Sequence, residues 1–77
     1  MPVFQFKPTV EIFRTNVPDK TLANKVISVL YNYFPDTQIN FDLEDCDRIL
    51  RVEGNIIDVK KVTDILHSLQ VDAELLP

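Results

Sequence analysis

The chain switches repeatedly between two hydrophobic periods, and this switching constrains its fold more than any other property. Over residues 9–14 side chains alternate as in a strand, with Val10 and Ile12 on one face and Glu11 and Phe13 on the other. Asn16, Val17, Pro18 and Asp19 break that run, and Asp19 is placed to cap a helix by accepting an orphan backbone N–H. From there Leu22, Val26, Val29, Leu30 and Tyr33 follow i, i+4, i+7, i+8, i+11 spacing, an apolar stripe on a helix. Pro35 ends it, because the residue before a proline is pushed out of the α region.

The second half repeats the pattern. Residues 37–44 alternate again, with Ile39, Phe41 and Leu43 inward and Gln38, Asn40, Asp42 and Glu44 toward water. Asp45, Cys46 and Asp47 form a turn, and residues 48–53 return with Leu50 and Val52 opposite in facing to Ile49, Arg51 and Glu53, so the two strands read as a hairpin. Asp58 is the second expected cap, with Ile57 packing on Val62 as a hydrophobic staple. Val59, Val62, Ile65, Leu66 and Leu69 make the second buried stripe. A short last strand has Val71, Ala73 and Leu75 inward and Asp72 and Glu74 outward.

Half-polar strands and one-sided helices in the order β-α-β-β-α-β predict an α+β fold. The expected form is a ferredoxin-like sandwich, a four-stranded antiparallel sheet with both helices on one face. Residues 9–77 make this single domain and residues 1–8 a tail. In the tail, Val3, Phe4 and Phe6 lie between Pro2 and Pro8, which suits at best an edge segment or a packed extension.

With 77 residues the core is thin, because a chain this short buries only about 60% of its unfolded surface. Small domains usually compensate with disulfides or a metal, yet Cys46 is the single cysteine, which excludes an internal disulfide and a multi-cysteine zinc site. Twelve acidic against eight basic residues give a net charge of −4, which argues against nucleic acid or an anionic membrane as partner. No run approaches the roughly 18 apolar residues of a membrane span, and the first residues lack the basic-then-apolar pattern of a signal peptide. A cytoplasmic location is the expectation.

Over about residues 10–76 the chain resembles the heavy-metal-associated domain, the fold of small copper chaperones and of metal-transporting ATPase modules. The match lies in the element lengths, in Val26 and Leu30, and in the tail Gln70-Val71-Asp72-Ala73-Glu74-Leu75 against the family's Gly-Phe-Asp-Ala-Glu-Leu. The family opens its first helix with Gly-Met-x-Cys-x-x-Cys. Here Asn16-Val17-Pro18-Asp19-Lys20-Thr21-Leu22 occupies those positions, with Asp19 and Leu22 in place of the two cysteines. Cu(I) is a soft ion that selects thiolates, and one carboxylate with one leucine does not replace them. Val71 likewise replaces an aromatic that often flanks the metal loop. The resemblance therefore implies a domain without Cu(I) handling at the usual site, and no cofactor is expected.

Other residues carry less chemistry. Cys46 sits among Asp42, Glu44, Asp45 and Asp47, whose negative charge disfavours the thiolate that soft-metal binding requires. Arg14 falls near Asp19, so a salt bridge could organise the first loop, although the capping role of Asp19 is the simpler expectation. His67 lies off the second stripe with Asp64 as a potential surface partner. No nucleophile–base order and no glycine-rich phosphate loop is present, so an enzyme is not expected.

A non-enzymatic protein-interaction or structural module is the leading expectation, its partner another protein or a second copy of itself. By resemblance to metal chaperones, which dock through the loop end, Asn16, Val17, Pro18, Asp19, Lys20 and Thr21 are the expected contacts. Phe13 and Ile49 join them as apolar groups expected on the sheet face that the helices leave open. The tail could instead fold across that face. Two alternatives stay open. One is a divergent metal-binding protein using a site without the paired cysteines, through Asp19 or through Cys46 supplied across a dimer. The other is a small-molecule regulatory module of the same topology, although its glycine-containing ligand loops are missing.

Overall fold

The structure is a computed structural model that describes residues 9–77. The readings made for Val3, Phe4 and Phe6 fall outside the described residues. The elements are β1 (Thr9–Thr15), α1 (Lys20–Tyr33), β2 (Gln38–Asp42), β3 (Ile49–Gly54), α2 (Val59–Ser68) and β4 (Ala73–Leu75). The four strands form one antiparallel sheet in the order β2-β3-β1-β4.

Both helices start where the sequence places their caps. Asp19 has extended backbone (φ −152°, ψ 171°) and its carboxylate accepts the Leu22 N–H at 2.9 Å. Asp58 does the same for Lys61 N–H at 3.1 Å. Each cap satisfies one of the backbone donors that a helix start leaves unpaired. α1 ends at Tyr33, two residues before Pro35, and the Phe34 N–H closes the last turn on the Leu30 carbonyl at 2.8 Å.

One face of the sheet carries the core. Phe13, Ile39, Leu50 and Val52 pack there against Ala23, Val26 and Leu30 of α1 and Val62, Ile65 and Leu66 of α2. The second stripe is as expected, with Val59 and Leu69 half-buried at its ends, and Ile57 packs on the core beside Asp58.

Two facings differ from the sequence reading. In β1 it is Phe13 that is buried, completely, while Val10 is 37% exposed and Ile12 half-exposed. Residues directly opposite each other share a face, and Phe13 lies opposite Leu50 of β3. Because apolar residues occur on both faces of β1, its own pattern is ambiguous and β3 decides. Phe13 is thus a core residue and not an open-face contact. Tyr33 is the second correction: the stripe of α1 runs through Ala23, Val26 and Leu30, and Tyr33 lies beyond it, 53% exposed, with the Lys61 ammonium 5.2 Å from its ring centroid. The last strand faces as read: Val71 is buried, Ala73 packs on the core, and Leu75 lies opposite Phe13 on the core face, where its edge position leaves it 40% exposed.

Candidate functional site

The residues at the metal-loop positions of the resembled family connect β1 to α1. Thr15, the last residue of β1, is buried and organises the connection. Its hydroxyl donates to the Arg48 carbonyl at 2.5 Å and accepts from the Val17 N–H at 3.3 Å. Its own N–H donates to the Asp47 carbonyl at 3.0 Å. Val17 thereby turns inward and is fully buried, which removes it, like Phe13, from the expected contact surface. An apolar side chain at that position stabilises the fold more by packing under the loop than by staying in water.

The neighbouring residues are held from other parts of the chain. The Asn16 side chain donates to the Asp72 carboxylate at 3.1 Å and accepts from the Asp72 N–H at 3.0 Å. The Arg48 guanidinium donates to the Pro18 carbonyl at 3.3 Å and to the Leu43 carbonyl at 3.1 Å. Arg48 has φ 47°, a left-handed conformation costing a side-chain-bearing residue about 1–2 kcal/mol. Such conformations persist where the surroundings over-determine them, and here the carbonyl and the guanidinium of Arg48 are both engaged.

Asp19 is occupied as a cap, and no salt bridge joins it to Arg14. Arg14 pairs instead with Asp47 at 3.3 Å and Glu74 at 3.6 Å. Leu22, which the sequence resemblance set against a cysteine, is half-buried against the core. Asn16, Pro18, Asp19, Lys20 and Thr21 remain exposed at this end. Ile49 lies opposite Asp42 and is half-buried, and its alternation with buried Leu50 puts it on the uncovered face.

Asp45, Cys46 and Asp47 bring their ligand-type atoms within 4.8 Å of one another. Their geometry is that of a turn. The Asp42 carboxylate accepts the N–H groups of Glu44 and Asp45, at 3.2 and 3.3 Å, and the Asp45 carboxylate accepts that of Asp47 at 2.8 Å. Asp47 is further engaged by Arg14, and Cys46 is exposed. Short Asp side chains bonding their own backbone are the usual chemistry of such turns. His67 is exposed, and Asp64, which the sequence offered it, pairs with Lys60 at 2.8 Å.

Sequence reasoning missed Thr15 and Arg48, which lie 33 residues apart. It also missed Tyr31, whose hydroxyl accepts the Ile39 N–H at 3.0 Å beside the edge strand β2. The one available signal for Tyr31 was an aromatic residue off the apolar stripe. No helix among the described residues is long and apolar enough to cross a membrane. Comparison with known proteins finds no matching family, no similar curated protein and no similar solved structure.

Proposed function

We propose that the chain is a non-catalytic, ferredoxin-like domain of the heavy-metal-associated type that does not handle Cu(I) at the usual site and binds a protein partner through the end carrying Asn16, Pro18, Asp19, Lys20 and Thr21. The observation that carries this reading is the state of the first loop. Asp19 is used as a helix cap, Leu22 is packed on the core, and Thr15 and Arg48 tie the loop to the β2–β3 turn. Protein groups thus perform the organising role that a thiolate-bound ion performs in the resembled family, and no soft ligand is on offer there.

Two further features support the family reading. The strand order β2-β3-β1-β4 with a helix after β1 and after β3 is the arrangement of the split βαβ fold. Gln70, which aligns with a family glycine, has φ 62°, the left-handed conformation that glycine favours.

The metal half of the proposal is tested by titrating reduced protein with Cu(I) and with Zn(II) against a chromogenic chelator. The expected result is no stoichiometric binding. Tight binding lost in Asp19→Ala or Cys46→Ser overturns the reading in favour of a divergent metal site. The partner half is tested with a photo-cross-linking residue at Thr21 and, as control, at Asn55 at the other end. Products should form from Thr21 and not from Asn55. Equal yields from both positions reject the loop end as the contact.

A further inference from the structure

β2 is an edge strand, and its two halves are treated differently. The Ile39 N–H points away from the sheet and is covered by the Tyr31 hydroxyl at 3.0 Å. Backbone direction alternates along a strand, so the N–H and C=O of Phe41 point the same way. Among the described residues nothing bonds them. Beside this open stretch runs a cleft of about 580 Å³ between α1 and β2, floored by Ala23, Ile27, Phe41 and Leu43 with Asp42 and Glu44 on its rim. An unpaired strand edge next to an apolar groove is the geometry of strand addition, where main-chain bonds give affinity and alternate side chains fill the groove.

We propose that this edge receives residues 3–7 of a second copy of the chain, Val-Phe-Gln-Phe-Lys, as an added antiparallel strand. The choice of a polypeptide occupant rests on the protein-binding reading above. Three observations select this one. In an extended segment Phe4 and Phe6 fall on one face, and Phe6 pairs with Phe41, whose N–H and C=O are the open main-chain pair. Phe4 then adds its side chain over the cleft near Leu43, which lies past the end of β2 and whose carbonyl accepts from Arg48. The same register sets Lys7 diagonal to Asp42 on the rim. It also sets Pro8 against Ile39, so the ladder stops where Pro8 has no N–H to give and the Ile39 N–H is already taken. Sliding the segment by two residues would put Phe6 at Ile39, against Tyr31.

The donor must be another molecule. Thr9 lies level with the start of β2, since Thr9 pairs with Gly54, and Glu53 with Gln38. A strand outside β2 lies three strand spacings from β1, roughly 14 Å. The three residues from Thr9 back to Phe6 span at most about 11 Å. Phe6 of the same chain therefore falls short of the edge before it has climbed to Phe41.

The test combines sedimentation of the full chain with amide NMR. Wild type should show a mass that rises with concentration, while the double variant Phe4→Ser/Phe6→Ser stays monomeric with an unchanged fold. A synthetic peptide of residues 1–8 added to that variant should shift the amides of Ile27, Phe41 and Leu43 several-fold more than those of Val10, Ile12 and Ile49. The same peptide with Lys7→Glu should bind several-fold more weakly at low salt. A full chain that stays monomeric at millimolar concentration overturns the proposal whatever the peptide does. So does self-association that survives the double variant, or peptide shifts that are absent or map to the uncovered face. Failure here is separable from failure of the broader reading by the mass of the Thr21 cross-link, which distinguishes a second copy from a foreign protein.

Discussion

The chain turns from strand into helix twice, from Thr15 to Lys20 and from Gly54 to Val59, and both turns end on an aspartate that accepts the N–H three residues on. Around that shared cap the two junctions are built from different physics. The first is fixed by hydrogen bonds from distant parts of the chain, through Thr15, Arg48 and the Asn16–Asp72 pair. Among the described residues the second has no side-chain bond to another element, and it closes by packing. Gly54 is buried, and a Cβ there would lie 2.9 Å from Thr37 Cγ2 and 3.1 Å from Ile57 Cδ1, while Ile56 is left 87% exposed. A cap is a local device available to either loop, whereas among the described residues the polar staple is found at the first loop and not at the second.

Thr15→Val should produce the largest effect that tests this contrast. It keeps the shape but leaves the Val17 N–H and the Arg48 carbonyl without their partner, at about 1–3 kcal/mol for each buried group. A loss of roughly 2–4 kcal/mol by denaturant unfolding is expected. A loss below about 1 kcal/mol, the net worth of a single ordinary hydrogen bond, would mean the staple is dispensable.

Gly54→Ala probes the packed junction, where overfilling costs about 1–3 kcal/mol. Thr37→Ser removes the methyl that the new Cβ would meet, so the double variant should recover much of that loss. No recovery would place the tightness elsewhere. Asp19→Ala and Asp58→Ala should each cost about 1 kcal/mol, and nearly equally, because each removes only a cap. A distinctly larger cost at Asp19 would show that the cap and the polar staple are coupled.

The smallest effect lies just inside α2. Lys60 has a raised pKa, first because its ammonium donates a hydrogen bond to Asp64 and then through the charge of that carboxylate. The raised value means that the pair's contribution is present at neutral pH and is lost as pH climbs through the Lys60 titration. Asp64→Asn should lower the Lys60 pKa in an NMR titration while leaving the unfolding midpoint nearly unmoved, since both groups are solvent-exposed.

Much of this organisation is legible in the sequence. The element order, both caps, the second helix stripe and the alternation of Ile39, Phe41, Leu50 and Val52 all depend on neighbours within one or two turns of chain. The absence of thiolates at Asp19 and Leu22 is a matter of residue type alone. The site was less legible. Val17 read as a loop contact because nothing near it in sequence announces that Thr15 will turn it inward. The edge of β2 was not recognised at all, because an edge is defined by what does not pair with it.

The sequence by itself determined where strands and helices form, how each helix begins, and that residues 16–22 carry no thiol, since periodicity, capping and residue type are properties of local side chains. The tertiary structure alone decided which face of β1 enters the core, that Thr15 meets Arg48 across 33 residues, and that Phe41 has no backbone partner outside the sheet among the described residues, beside a cleft. Those outcomes depend on strand register. In a strand with apolar residues on both faces, register is settled by the partner across the ladder.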